Sequence, residues 1–190
     1  MRTLIIETSL IIVLVVMVYL FEPQSSDLLA YYHTGIAQGE LWRVISASFC
    51  HTNLNHLLMN LTGLVVTLAL FIDTFKKVSI IPLLIFCSIF ISVCLFFLEK
   101  DVIWYVGLSG VLHGLFAYGI ANDIKNKSLW GFILGAGIII KIIYEQTYGA
   151  QQSTINLIEA NVLVNAHAYG VIAGTTFYLT RLAISKKNIK

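Results

Sequence analysis

The chain has 190 residues, 58% of them hydrophobic and 12% charged, with a net charge of +2 and a mean hydropathy of +0.85. A soluble domain carries about 25% charged residues, so this chain lacks the polar side chains to cover a water-facing surface, and its small charge gives no basis for a nucleic-acid partner. Two prolines and no sustained strand-like alternation argue against a barrel and leave helices, which satisfy their own backbone N–H and C=O groups inside hydrocarbon.

Six apolar stretches occur, at 4–21, 52–72, 79–98, 107–122, 129–147 and 158–180. Most approach the ~20 residues needed to cross ~30 Å of hydrocarbon. The reading is an all-α polytopic membrane protein with six transmembrane helices, forming one membrane domain over 1–190. The first stretch is a featureless Ile/Leu/Val helix expected at the periphery. It follows Arg2 and ends at Phe21-Glu22-Pro23 without a small-residue cleavage site, so it reads as a span and not as a cleaved signal.

The connection over 22–50 is long, mixes polar residues with Tyr31, Tyr32 and Trp42, and closes on Gly39-Glu40-Leu41-Trp42-Arg43. Trp and Tyr prefer the membrane–water boundary, so this segment is expected in the outer headgroup layer, with an ordinary external loop as the alternative. Cys50, Cys87 and Cys94 suggest buried free thiols and not a disulfide framework.

Span two opens with His51-Thr52-Asn53-Leu54-Asn55-His56 and carries Asn60 one turn further. His56 and Asn60 share a helix face that should turn away from lipid. That face is either interhelical glue or a donor pair for a substrate. Span three has Pro82 in its first turn, where proline is tolerated, and reads as scaffold. Glu99-Lys100-Asp101 forms a short outer turn, followed by Trp104 and Tyr105 at an interface.

Span four begins Gly107-Leu108-Ser109-Gly110-Val111-Leu112-His113-Gly114. A serine at a helix start has backbone N–H groups and the positive end of the macrodipole beside it, which suits a developing oxyanion. Gly110 and Gly114 allow a neighbouring helix to approach closely. Span five carries Lys141 and Glu145 four residues apart, read as a weak intrahelical pair; a role in substrate access or proton transfer has no support in the spacing. The polar loop 149–156 reads as a mobile cap. In span six, His167, Gly170 and Gly174 share one small-residue face.

Arg2, Lys76, Lys77, Lys125, Lys127, Arg181, Lys186, Lys187 and Lys190 fall on the terminal side of a six-span arrangement, against Arg43 and Lys100 on the other. The asymmetry places both termini in the cytoplasm. Depth then links the polar residues. Asn60 lies 13 residues before Asp73, Ser109 lies 14 before Asp123, and His167 lies 14 before Arg181. Each is therefore expected ~20 Å above the cytoplasmic boundary, with His56 a turn higher.

Ser109 needs a base to become a nucleophile, and neutral imidazole suits that role. His113 shares the face of Ser109 but runs along the same helix, whereas His167 comes from another helix and leaves room for an acyl group. His167 is therefore assigned as base and His113 as a ring packed against it. No carboxylate occupies an obvious third position, so the expectation is a Ser–His dyad, with the Ser109 N–H, His56 and Asn60 meeting the oxyanion. Zinc held by His51, His56, His113 and His167 is the main chemical rival; HExxH and paired Cys/His spacings are missing, and such a site leaves the serine unexplained. Neither metal nor cofactor is expected. A membrane scaffold or chaperone holding client helices is the non-enzymatic alternative.

Trp42-Arg43, then His51, His56 and Asn60, then Gly107-Leu108-Ser109-Gly110, then Ala166-His167 with Gly170 and Gly174 resemble the pattern of rhomboid intramembrane serine proteases over nearly the whole chain. The resemblance implies the six-helix rhomboid bundle with Ser109 as nucleophile, His167 as base, and His56 and Asn60 as oxyanion contributors. It also implies that the 22–50 segment is the partly embedded first loop and that span five with its following loop forms gate and cap. Gly107, Gly110, His113 and Gly170 would support the site, Gly170 by packing helix six on helix four. Many rhomboids have tyrosine where this chain has His113. That difference, with the compact length, resembles the rhombosortase branch. The implied substrates are exported bacterial proteins anchored by a C-terminal Gly-Gly motif, a membrane helix and a basic tail. The implied location is the bacterial inner membrane.

Overall fold

The computed structural model describes residues 1–187, with side chains through Ser185. The side chains of Lys186 and Lys187, and all of Lys190, which enter the charge asymmetry, lie outside the described residues. In chain order the elements are α1 (Arg2–Leu20), α2 (Gln24–Leu29), β1 (Tyr31–Tyr32), α3 (His33–Ala37), α4 (Arg43–Ser46), a 3₁₀ turn at Ala47–Phe49, α5 (Leu54–Leu70), α6 (Ile72–Phe75), α7 (Ile80–Leu98), β2 (Trp104–Tyr105), α8 (Ser109–Lys125), α9 (Leu129–Tyr148), α10 (Gln152–Ile158) and α11 (Val164–Lys187).

Among the described residues, α1, α7 and α9 are long and apolar enough to cross a membrane, and the bent pair Arg43–Phe49 with α5, at 96°, supplies a fourth candidate. The helices α5, α8 and α11 carry the polar residues that lower their apolarity; α8 is mostly buried, while α1 and α9 are largely exposed. Ile5, Leu10, Val13, Ile139, Ile140 and Ile143 are exposed aliphatics on those outer helices. So much apolar surface is suited to lipid and not to water.

The centre is α8, which packs against α11, α9, α7 and α5. Its contact with α11 is backbone to backbone. A Cβ at Gly170 would collide with the carbonyl oxygen of Gly110, and one at Gly174 with that of Gly114. No larger residue fits either place without driving the helices apart. The expected Gly-lined seam between helices four and six is thus present.

The 22–50 connection is a folded unit of short helices. The Arg43 guanidinium donates to the Ala30 carbonyl at 2.8 Å and the Asp27 carbonyl at 3.0 Å, and it pairs with Glu40. Ser46 Oγ donates to the Leu29 carbonyl at 2.7 Å. β1 pairs antiparallel with β2, Tyr31 opposite Tyr105 and Tyr32 opposite Trp104. This unit is thereby stitched to the chain entering α8.

Three expectations change. The first helix is not featureless: Glu7 is buried, accepts from Ser79 Oγ at 2.5 Å and from the Ile80 N–H at 2.9 Å, and so caps α7 from a different helix. Residues 149–156 are not simply a loop, because α10 occupies Gln152–Ile158. The last helix begins at Val164 and not near 158, since Glu159 takes a left-handed conformation (φ 54°) that ends α10. Cys50 and Cys87 are buried free thiols, and Cys94 is a half-buried one.

Candidate active site

Ser109 is the first residue of α8. Gly107, at φ +117°, makes the turn that delivers the chain there, a backbone conformation suited to glycine. The Tyr105 hydroxyl donates to the Gly107 carbonyl at 3.2 Å, and the Gly107 N–H donates to the Ala47 carbonyl at 3.1 Å. The segment before the serine is therefore held from both sides.

His167 Nε2 lies 3.0 Å from Ser109 Oγ, and His167 Nδ1 lies 2.9 Å from Glu145 Oε2. The carboxylate can only accept, so Nδ1 carries the proton and Nε2 turns its lone pair to the serine hydroxyl, which donates to it. The other carboxylate oxygen, Oε1, holds Lys141 Nζ at 2.6 Å. From sequence, a dyad with no third carboxylate is expected. The structure instead brings a carboxylate from α9 onto the histidine of α11. The Lys141–Glu145 pair exists as expected, but it engages only one of the two oxygens.

His113 stacks on His167 with ring centroids 4.1 Å apart and planes inclined by 14°. Its Nδ1 donates to the Ser109 carbonyl at 2.7 Å, which commits that nitrogen to the backbone and leaves Ser109 Oγ to His167. On α5, the Thr52 N–H reaches His56 Nδ1 at 3.4 Å. An N–H can only donate, so Nδ1 is the acceptor and His56 Nε2 carries the proton. That nitrogen and Asn60 Nδ2 both converge on Gly107: a Cβ there would lie 2.8 Å from His56 Nε2 and 3.8 Å from Asn60 Nδ2. Asn60 Nδ2 is buried without a hydrogen-bond partner, an unmet donor beside the serine segment.

These groups line a cavity of about 800 Å³ between α5 and α9, with Met59, Gly63 and Thr67 on one side and Ile133, Gly137 and Ile138 on the other. Its lining is mostly apolar, with the serine, the histidines, Asn60, Lys141 and Glu145 among the polar groups. α10 covers its outer end. Thr52 Oγ1 donates to the Ile158 carbonyl at 2.7 Å, and Asn53 Nδ2 and Asn55 Nδ2 reach the Leu157 carbonyl at 3.1 and 3.2 Å.

The four histidines weighed for zinc form two packed pairs. His51 meets His56 edge-on at 4.9 Å, and His113 stacks on His167. One atom each from His113, Glu145 and His167 lie within 4.8 Å of one another. Imidazole lone pairs lie in the ring plane, so two stacked, nearly parallel rings do not converge on one ion. Both nitrogens of His167 are already occupied by Glu145 and Ser109. Within the trio His167 is hydrogen-bonded to Glu145 and stacked on His113, so it is not a chelating set.

The Rhomboid domain family matches residues 38–184, well over half of the chain. The chain belongs to the Rhomboid domain family. It is also similar to a protein of Bacillus subtilis (strain 168) named "Putative rhomboid protease YdcA", 24% identical over 161 residues that cover 85% of this chain and 76% of that relative.

Within this rhomboid, the residues singled out in sequence sit together: Ser109, His113 and Gly110 on α8, His167 and Gly170 on α11, His56 and Asn60 on α5, and Gly107 between them. Sequence reasoning missed Glu145 as a neighbour of His167. The available signal was an acid inside an apolar helix, which is costly unless paired, but Lys141 one turn away satisfied that requirement locally.

Proposed function

We propose that this rhomboid is an intramembrane serine endopeptidase with Ser109 as nucleophile and His167 as general base. The observation that carries the reading is the 3.0 Å contact between Ser109 Oγ and His167 Nε2, made by residues of two helices at the wall of an apolar cavity. As the Ser109 Oγ–carbon bond forms, the hydroxyl proton passes to His167 Nε2. The oxyanion is met by the Ser109 N–H, His56 Nε2–H and Asn60 Nδ2. The proton on Nε2 then goes to the leaving amine as the C–N bond breaks, and water resolves the acyl-enzyme by the same route. These steps need no cofactor.

The substrates in this reading are transmembrane proteins admitted between α5 and α9 and cut near the outer face. The six helices α1, α5, α7, α8, α9 and α11 are the six crossings of a single domain over 1–190, with both termini cytoplasmic in the bacterial inner membrane. The lysines and arginines gathered on the terminal side support that orientation. A rhombosortase-like preference for C-terminal Gly-Gly tail anchors is supported by His113 stacked on the base, in place of the tyrosine found in many rhomboids.

The test is fluorophosphonate labelling of the purified protein, with Ser109→Ala as control. Labelling confined to Ser109 is expected. Labelling that persists unchanged in Ser109→Ala overturns the assignment, and complementation of a deletion strain by Ser109→Ala identifies the scaffold alternative. Comparison of membrane and secreted proteomes with and without Ser109 identifies the substrates by their lost C-terminal tails.

A further inference from the structure

The carboxylate on His167 is supplied by α9, the helix that faces α5 across the cavity, and not by α8 or α11, which carry the nucleophile and the base. Glu145 Oε1 is held by Lys141 Nζ at 2.6 Å, which leaves Oε2 turned to His167 Nδ1 at 2.9 Å. The Glu145 side chain is 12% exposed and that of His167 7% exposed, so the contact is shielded from water where a charged hydrogen bond is strong. We propose that Glu145 is the positioning residue of His167, converting the pair with Ser109 into a Ser–His–Glu triad that is complete only while α9 stands against α11.

A neutral imidazole carries its proton on either nitrogen, and only the Nδ1–H form presents a lone pair to Ser109 Oγ. Among the described residues, Glu145 is the hydrogen-bond partner of His167 Nδ1. When His167 takes the Ser109 proton at Nε2, the ring becomes a cation held at Nδ1 by the carboxylate. Nothing is transferred to Glu145, and the proton on Nε2 remains available to the leaving amine. Lys141 Nζ occupies Oε1 and so leaves Oε2 for His167. The other titratable side chains lining this cavity are His113, His56, Tyr105 and Tyr144, and none of these offers a carboxylate in place of Glu145.

This inference rests on the serine-protease reading, and the experiment separates the two. Fluorophosphonate labelling rates of Ser109 and kcat and KM on a transmembrane substrate are measured for wild type, Glu145→Gln, Glu145→Asp and the exchange of Lys141→Glu with Glu145→Lys. The exchange keeps an i,i+4 ion pair on α9 but sets a cation beside His167. Expected are a fall of about 10²-fold or more in labelling and kcat for Glu145→Gln and for the exchange, with KM little changed, and partial recovery in Glu145→Asp. Histidine ¹⁵N NMR is expected to show Nδ1–H on His167 in wild type and a mixture of tautomers in Glu145→Gln. Wild-type rates and an unchanged tautomer in Glu145→Gln, or wild-type rates in the exchange, overturn the positioning role while Ser109 labelling leaves the protease reading intact. Absence of Ser109 labelling in wild type overturns the protease reading itself.

Discussion

The imidazoles of His113 and His167 stack at 4.1 Å, and His113 Nδ1 is bonded to the Ser109 carbonyl at 2.7 Å. One ring thus steadies the other and anchors itself to the backbone of Ser109. If His113 serves as a packing surface, His113→Phe keeps a flat ring there and should retain labelling within about tenfold of wild type. His167→Ala removes the proposed base and should lose roughly 10³-fold or more. Initial labelling rates of the two variants decide it, and the reverse order would make His113 the base.

Asn60 offers a separation of activity from stability. Its Nδ2 is buried with no partner, so removing it relieves an unmet donor. Asn60→Ala should lower kcat by about 10²-fold, in the range for a lost oxyanion donor, while the thermal midpoint in detergent stays level or rises. A large fall in the midpoint would show that the Asn60 side chain holds the helices together.

The Gly110–Gly170 contact predicts a size limit. Gly170→Ala should lower the thermal midpoint by ~5 °C or more, because the added Cβ meets the Gly110 carbonyl and no flexible side chain can yield. Gly137→Ala is the matched control. A Cβ there meets nothing within 4 Å, so only the ordinary helix gain of up to about 1 kcal/mol remains.

Glu7 links α1 to α7 at a distance from the cavity. Glu7→Ala strips the start of α7 of its acceptor for Ser79 Oγ and the Ile80 N–H, at a cost of about 1–2 kcal/mol. Thermal unfolding should register this loss, whereas the Ser109 labelling rate of the folded fraction should match wild type.

Thr52 ties α10 over the site through the Ile158 carbonyl. Thr52→Val removes that bond, and hydrogen exchange over residues 152–158 should accelerate by about fivefold or more, as one hydrogen bond of ~1 kcal/mol is lost. Exchange in α8 should not change.

The site was readable in sequence where chemistry was conspicuous. Ser109, His56, Asn60 and His167 are polar residues in apolar spans, and polar groups in lipid call for an explanation. Glu145 had a ready one. Its spacing from Lys141 accounted for the acid locally, and the direction of its second oxygen depends on how α9 is rotated against α11, which no spacing within α9 encodes. Glu7 escaped for a related reason, since its partners lie more than seventy residues away. The helix α10 escaped because seven mostly polar residues carry too little periodicity to separate a short helix from a loop. The start of α11 was misplaced because Ile158, Ala160, Val162 and Leu163 are apolar yet form the end of α10 and the chain beneath it.

The paired glycines of α8 and α11 act as a mechanical detent. Two notches one helical turn apart, Gly110 with Gly170 and Gly114 with Gly174, fix where the helices stand along their length as well as how near they come. A slip of one turn would shift one helix by about 5.4 Å. Such a slip would leave one glycine on each helix unmatched and carry Ser109 Oγ out of reach of His167 Nε2. The spacing of four hydrogen atoms, standing where side chains would otherwise begin, therefore sets the alignment on which the serine–histidine contact depends.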